Sequence, residues 1–455
     1  MSLKKTQEIT LVGAGPVGSL LAALLARRGF DIRLFEKRPD MRERHLAGGR
    51  SINLVLTNRG LDALDLIGMR ERVLELTVPV LGRMMHSIDG ELAYQAYGKD
   101  ESECNYSVSR GLLNEFLLDA AEDAGVELHF DATLRGADFD AGELFFDDRT
   151  IDADVVIGTD GAPSAVRQAL VRRPGFEEQV EMMKWGYKEL LFPAGPDGSY
   201  PMAGHALHIW PRGHHFLMGL ANLDGSFTGT LYLPLEGPDS FERLKTPHDV
   251  EVFFRTHYPD AIPLLGDFID DFWAHPVGSL GTVRAAPWHL DGRVLLVGDA
   301  AHGIVPFFGQ GLNSGFEDCS VLNDLLNEHD SLDAVFETFS RTRKPDADAI
   351  ADMALENFVE MSEKVGLPGF LMRKKVEAIL ERELGPLYRS RYAMVMYSHI
   401  PYHVAFEIGE VQKEILVELS RDLEAPEDVD IDAARRLIES RLQPLYERFG
   451  VDLGF

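Results

Sequence analysis

The apolar run Ile9-Thr10-Leu11-Val12 breaks into Gly13-Ala14-Gly15-Pro16-Val17-Gly18, and no other stretch restricts the fold of this chain so strongly. In a G-x-G-x-x-G turn the first glycine permits the tight bend. The second lets the backbone approach a pyrophosphate, and the third lets helix and strand pack closely. The amides opening the following helix then face an anion, which the helix dipole favours. Two turns of related design follow in order: Val155-Val156-Ile157-Gly158-Thr159-Asp160-Gly161 and Val294-Leu295-Leu296-Val297-Gly298-Asp299. Each is a strand running into a tight turn beside one carboxylate. The pattern predicts an α/β chain that opens with a strand at 9–12, a helix over about 16–28 and a strand at 31–36. Glu36 follows Gly18 by 18 residues, where an acid accepts from ribose hydroxyls. The fingerprint by itself does not separate NAD from FAD.

At 455 residues the chain exceeds the roughly 250–300 at which single cores stop growing, so two or three subdomains are expected. A formal net charge of −29 argues against nucleic acid or an anionic membrane as partner. The only cysteines, Cys104 and Cys319, offer no disulfide framework and no CxxC metal site, which suits a reducing, cytoplasmic setting. The uncharged stretch from Ile9 to Ala26 after Lys4 and Lys5 mimics a membrane anchor, but Gly13, Gly15, Pro16 and Gly18 interrupt it. No other segment approaches the roughly 18 apolar residues of a membrane helix. The histidines show no HExxH motif, and no metal is expected.

Further along, the periodicity predicts one helix over 54–76 with Asn58 as its cap, and short strands from 78 to 97. A helix opens at Arg110, followed by strands at 126–130, 143–146 and 155–157. Residues 180–283, rich in aromatics, Gly and Pro, read as an antiparallel sheet walling a cavity. The nucleotide fold resumes at 293–297, and everything after about 345 has helical period. The expected organisation is a discontinuous nucleotide-binding domain (1–75, 101–178, 284–344), a sheet domain (76–100, 179–283) and a helical region (345–455) covering the active site.

The ordered trio of turns resembles the FAD-binding frame of single-component aromatic hydroxylases, the group A flavoprotein monooxygenases of p-hydroxybenzoate hydroxylase-like fold. The resemblance implies a tightly bound, non-covalent FAD. Gly13, Gly15, Gly18 and Glu36 would then hold its adenosine and pyrophosphate, Asp160 with Gly161 would lie near the pyrophosphate, Arg110 would reach the phosphates, and Asp299 would accept from the ribityl chain. Pro306-Phe307-Phe308-Gly309-Gln310-Gly311-Leu312-Asn313 leads into a helix whose amides would face the N1–C2=O edge of the isoalloxazine, with Pro306, Gly309, Gly311 and Asn313 in contact. His302, beside Asp299, reads as a hydrogen-bonded structural histidine.

Four stretches narrow the match: Gly49 to Leu54, Pro306 to Asn313, Asn222-Leu223-Asp224-Gly225-Ser226-Phe227-Thr228, and Tyr392-Ala393-Met394-Val395. Over about residues 8–410 the chain resembles the kynurenine 3-monooxygenase family. That family grips its substrate's amino-acid end with an arginine, two tyrosines and an asparagine, matched here by Arg83, Tyr97, Tyr392 and Asn357. A carboxylate is buried only with a charge-assisted partner, and Arg serves this better than Lys. Phe227, Phe307, Phe308 and Met361 would form apolar walls around the ring.

The resemblance implies 3-hydroxylation of L-kynurenine by O2, with NADPH as a transient co-substrate and a flavin C4a-hydroperoxide as oxidant. No acid–base catalyst is nominated, because the aniline nitrogen already activates the ortho carbon. No hydrophobic C-terminal anchor like that of eukaryotic relatives is expected, and a monomer or homodimer is expected. Two other readings stay open: a sister hydroxylase of a phenolic, salicylate-type or quinone-precursor substrate, and a non-catalytic protein of the same fold, such as the escorts of small GTPases.

Overall fold

The computed structural model describes residues 7–43, 53–364 and 368–453, with the side chains of 363, 364 and 368 outside the description. The quoted stretch from Gly49 to Ile52 therefore lies outside the described residues. The chain divides into two compact units: Met1–Val78, Tyr106–Met183 and Ser279–Ala351 form the first, and Pro79–Asn105, Lys184–Gly278 and Asp352–Phe455 the second.

In the first unit six strands lie in the order His289–Leu290, Val294–Leu296, Val156–Gly158, Glu8–Val12, Asp31–Phe35, Glu127–His129. All neighbours are parallel except the pair formed by His289–Leu290. Leu11, Leu34, Ile157 and Leu295 are at most 1% exposed, as a sheet covered on both faces requires. That double cover explains why these strands read as continuous apolar runs. The crossover helix Pro16–Arg27 begins with proline, whose missing N–H would have been unpaired there anyway. Gly29, at φ 92°, follows its last turn.

The helix expected over 54–76 is broken in fact. Asn53–Leu56 is a strand paired antiparallel with Asn105–Ser109, and two short helices, Asn58–Asp65 and Arg70–Leu74, follow. Thr57 occupies the cap position and Asn58 is already helical. The cause lies 256 residues away: the Asn313 carboxamide accepts from the Thr57 amide at 2.9 Å and donates to the Val55 carbonyl at 2.8 Å. Gly68, at φ 63°, separates the two helices.

The second unit carries most of a seven-stranded sheet ordered Gly278–Ala286, Glu177–Phe192, Phe227–Pro234, Phe216–Ala221, Ala206–Pro211, Gly82–His86, Leu92–Ala96. It is mixed, not purely antiparallel: Ala206–Pro211 runs parallel to Gly82–His86, pairing His208 with Met84. Two strands from segments over a hundred residues apart are not bound to the antiparallel geometry that a tight hairpin imposes. Two helices, Pro247–His257 and Phe268–Ala274, interrupt the stretch read as sheet. A reciprocal cap between Thr246 and Asp249, with Pro247 next to it, starts the first of them.

The helix Leu332–Val359 carries the chain onward and ends in a π turn, Glu360–Lys364. The helices Pro368–Glu383, Arg391–Tyr397, Tyr402–Leu419, Ile431–Arg441 and Gln443–Phe449 follow. Among the described residues no helix is long and apolar enough to cross a membrane.

Candidate active site

Backbone geometry builds the first unit's site. Gly13 sits at φ 106°, and a Cβ there would lie 2.5 Å from the Thr159 carbonyl oxygen. A Cβ on Gly18 would come within 2.0 Å of the Gly13 oxygen, so strand, turn and helix meet too closely for any side chain. Gly15 differs: among the described residues, nothing lies within 4 Å of an added Cβ. Space is kept in front of its amide at the helix start, where a pyrophosphate would sit.

Glu36, 6% exposed, accepts from the Ala14 amide at 2.9 Å through one oxygen. Its other oxygen accepts from the Arg38 amide at 3.0 Å and the Arg38 Nε–H at 2.8 Å. Burial pushes this carboxyl up, but Arg38 outweighs it and holds the group below its usual value. Asp160 uses one oxygen to accept from the amides of Ala165 and Val166, at 2.6 and 3.2 Å. Its Oδ1 is buried with no hydrogen-bond partner among the described residues, and burial raises its pKa. An orphaned acceptor beside Gly161, at φ 78°, fits a ligand that brings its own donors.

Asp299 is exposed, yet burial is the largest influence on its carboxyl and lifts it above the usual range. The two facts together describe a carboxylate lining a solvent-reached recess. His302 and Arg110 pull it back, so the exposed Arg110, first residue of the helix Arg110–Asp123, shares its field. The turn holding Asp299 is fixed from behind by groups that local spacing does not reveal. Asp318 accepts from the Gly298 amide at 3.0 Å, pairs with His302 at 2.6 Å and accepts from Arg343 at 2.9 Å. Burial raises the Asp318 carboxyl, but His302 and Arg343 win and hold it low. His302 is thus held in a buried network, stacked near Trp288 at 5.0 Å.

Pro306–Phe308 forms one 3-10 turn, Gly309 takes φ 69°, and the helix Gly311–Glu328 follows. Pro306 is exposed, Gly309 and Gly311 are half-buried, and Phe307 and Phe308 are each 7% exposed. The Asn313 side chain is engaged by Thr57, Val55 and the Gly309 carbonyl, which shapes this loop from within.

In the second unit side chains build the site. Arg83 lies half-buried on the strand Gly82–His86, and its Nε–H donates to the Gln95 carboxamide at 2.8 Å across the adjoining strand. The Tyr97 and Tyr392 rings stack at 5.2 Å. Burial pushes Tyr97 up to about 12 and Tyr392 well above the ordinary phenol value, and the Arg83 charge draws both back. Arg83, Tyr97 and Tyr392 therefore share one neighbourhood, and both phenols keep their protons at neutral pH. Asn105, 4% exposed, donates from Nδ2 to the Tyr392 hydroxyl oxygen at 2.9 Å. Sequence reasoning missed Asn105 and Gln95. The period-2 pairing of the two strands could have pointed to Gln95, but nothing local marks Asn105.

Asn357 lies half-buried in the last turns of the helix Leu332–Val359, with Nδ2 3.6 Å from the Met361 sulfur. Met361, 5% exposed, belongs to the π turn, an irregularity frequent at functional sites. Glu356 takes ion pairs from Arg391 at 3.0 Å and Lys413 at 2.7 Å, joining the residue before Asn357 to the residue before Tyr392. Phe227 is fully buried against Tyr200 and His208, at 5.6 and 5.4 Å, which places it in the core of the sheet and not on an open surface.

Comparison with known proteins gives this geometry a lineage. Residues 6–354 match the family described as FAD binding domain. Kynurenine 3-monooxygenase of Myxococcus xanthus (strain DK1622) is 50% identical over 451 residues, covering 98% of this chain and 97% of that protein. Its namesake from Xanthomonas axonopodis pv. citri (strain 306) is 42% identical, covering 98% and 99%. Among solved structures, 2-methyl-3-hydroxypyridine-5-carboxylic acid oxygenase shares the fold at TM-score 0.66 and 20% identity, over 82% of this chain and 97% of its own. Tetracycline destructase Tet(51) does so at TM-score 0.61 and 18% identity, over 84% and 97%. With glycine turns, an orphaned Asp160 oxygen and a recessed Asp299 that fit FAD, the chain belongs to the kynurenine 3-monooxygenase family of FAD-dependent enzymes.

Proposed function

We propose that this protein hydroxylates L-kynurenine to 3-hydroxy-L-kynurenine, taking electrons from NADPH and oxygen from O2. The observation that carries the reading is the grouping of Arg83, Tyr97, Tyr392 and Asn105 in a chain half identical to a named kynurenine 3-monooxygenase. When bound, FAD supplies the redox chemistry by accepting a hydride and activating oxygen. Glu36 would hold the adenosine ribose, the amides from Gly13 to Gly18 the pyrophosphate, and Arg110 would reach the phosphates, with Asp160 and Gly161 near them. Asp299 would accept from the ribityl chain, and the loop Pro306–Asn313 would contact the flavin ring.

The substrate carboxylate is met by the terminal nitrogens of Arg83, because Gln95 takes the Nε–H. Tyr392 donates to the same carboxylate. Its hydroxyl oxygen accepts from Asn105, whose amide N–H can only donate, so that contact steadies the phenol without using its proton. Asn105 is thus a positioning residue. Tyr97 adds a second protonated donor, Asn357 binds the polar end from its helix, and Met361 supplies apolar bulk. Water exclusion and ring orientation do the remaining work, with no acid–base group required.

A cytoplasmic, monomeric or dimeric protein fits the free, buried Cys104 and Cys319 and the acidic composition. Anaerobic stopped-flow with NADPH tests the reading: flavin reduction is expected to be far faster with L-kynurenine present. Indifference to kynurenine, with stimulation by a salicylate, overturns it in favour of a phenol hydroxylase.

A further inference from the structure

We propose that His215, Asp239 and His257 form a binding site for one zinc-class divalent cation on the second unit, built from residues used in none of the roles above. Each offers one ligand atom, and these atoms all lie within 4.8 Å of one another. Two imidazole nitrogens and one carboxylate oxygen are the donors that suit Zn2+ and its first-row neighbours, and three protein ligands leave a position for water.

The three residues come from three elements. His215 immediately precedes the strand Phe216–Ala221, Asp239 lies in the loop after Phe227–Pro234, and His257 ends the helix Pro247–His257. This is why no ligand-spacing motif betrays them. A cation here would tie the loop and the helix end to the strand.

The surroundings already hold the ligands in place. His215 is 2% exposed, and its Nδ1 lies 2.6 Å from the hydroxyl of the fully buried Tyr258. A phenol oxygen accepts Nδ1–H, and in that tautomer the Nε2 lone pair is available to a metal. Outer-shell orientation of this kind is usual for metal-binding histidines. The two imidazoles stand perpendicular at 4.7 Å, and both pack on Phe253, at 5.2 and 4.7 Å. The His257 carbonyl accepts from Arg212, whose charge is offset by Asp260 at 2.9 Å. Asp239 is exposed and already leans on His257, with Oδ1 3.4 Å from Nε2. The buried histidine is the fixed post and the exposed carboxylate the adjustable arm.

The test uses full-length, FAD-loaded protein without an affinity histidine tag, stripped with chelator and titrated calorimetrically with Zn2+. One equivalent is expected to bind and to raise Tm. Asp239→Ala and His257→Ala, which alter exposed and half-buried side chains, are each expected to weaken binding about tenfold or more while leaving the zinc-free Tm near that of the parent. Co2+ in place of Zn2+ is expected to give a ligand-field absorption that both variants lose. Absence of stoichiometric binding, or identical binding in parent and variants, overturns the proposal and leaves only a His257–Asp239 contact beside a buried histidine.

Discussion

On the proposed reading, the two units hold small molecules by opposite means. The first works with main chain: three glycines, a helix start and carboxylates set into turns, so most side chains near the cofactor matter only by being absent. The second works with side chains: a guanidinium steadied by Gln95, two phenols raised far above their ordinary titration range, and a carboxamide that aims one of them. Main-chain sites recognise what all nucleotides share. Side-chain sites recognise one substrate, and a single substitution can retune them.

The largest expected effect breaks the first half of that contrast. Gly18→Ala forces a Cβ to within 2.0 Å of the Gly13 oxygen and is expected to cost about 3 kcal/mol or more, abolishing FAD retention and lowering Tm together. Gly15→Ala, facing open space, is expected to keep the Tm nearly unchanged while weakening FAD roughly ten- to a hundredfold, read by flavin absorbance after dialysis. Equal behaviour of the two variants would refute the assignment of separate roles.

Arg83→Met sharpens the second half. Stranding a carboxylate without its partner costs about 3–5 kcal/mol, so KM for kynurenine is expected to rise from roughly a hundredfold to several thousandfold, with FAD content unchanged. An unaltered KM would remove kynurenine as substrate.

Tyr392→Phe and Asn105→Ala come next, each raising KM by about tenfold or less with kcat preserved. If Asn105 acts through Tyr392, the double variant is expected to equal Tyr392→Phe alone and not the product of the two effects.

The smallest effect concerns acid. The Glu36 carboxyl sits below its ordinary 4.5 in the folded protein, so its contribution is complete above that value and fades as pH falls through the lower folded value. The Tm difference between parent and Glu36→Gln is expected to stay flat from pH 7 to about 5 and to shrink below about 4.

The same contrast governs what could be read from residues alone. Gly18 and Glu36 are legible because their constraints act within some 25 positions of chain, and Gly13 because its positive φ calls for glycine although the backbone it abuts, at Thr159, is far along the chain. The helix expected over 54–76 failed because a carboxamide at 313 imposes a strand and a new helix start on residues 55–57. Asn105 and Tyr392 are 287 residues apart, Asp318 and His302 lie on different elements, and His215, Asp239 and His257 converge only in space. Arg83, Tyr97, Tyr392 and Asn357 came into view through resemblance, since an isolated arginine or tyrosine carries no local mark of its partner.

A helix that widens for one turn holds an extra residue that later evolution can remove only at a price. Trimming a single position from Glu360–Lys364 would restore ordinary spacing and swing Asn357 by about 100° relative to everything after it. That segment cannot change in length by one without turning its asparagine away. It serves as a ruler against which the register of relatives can be set.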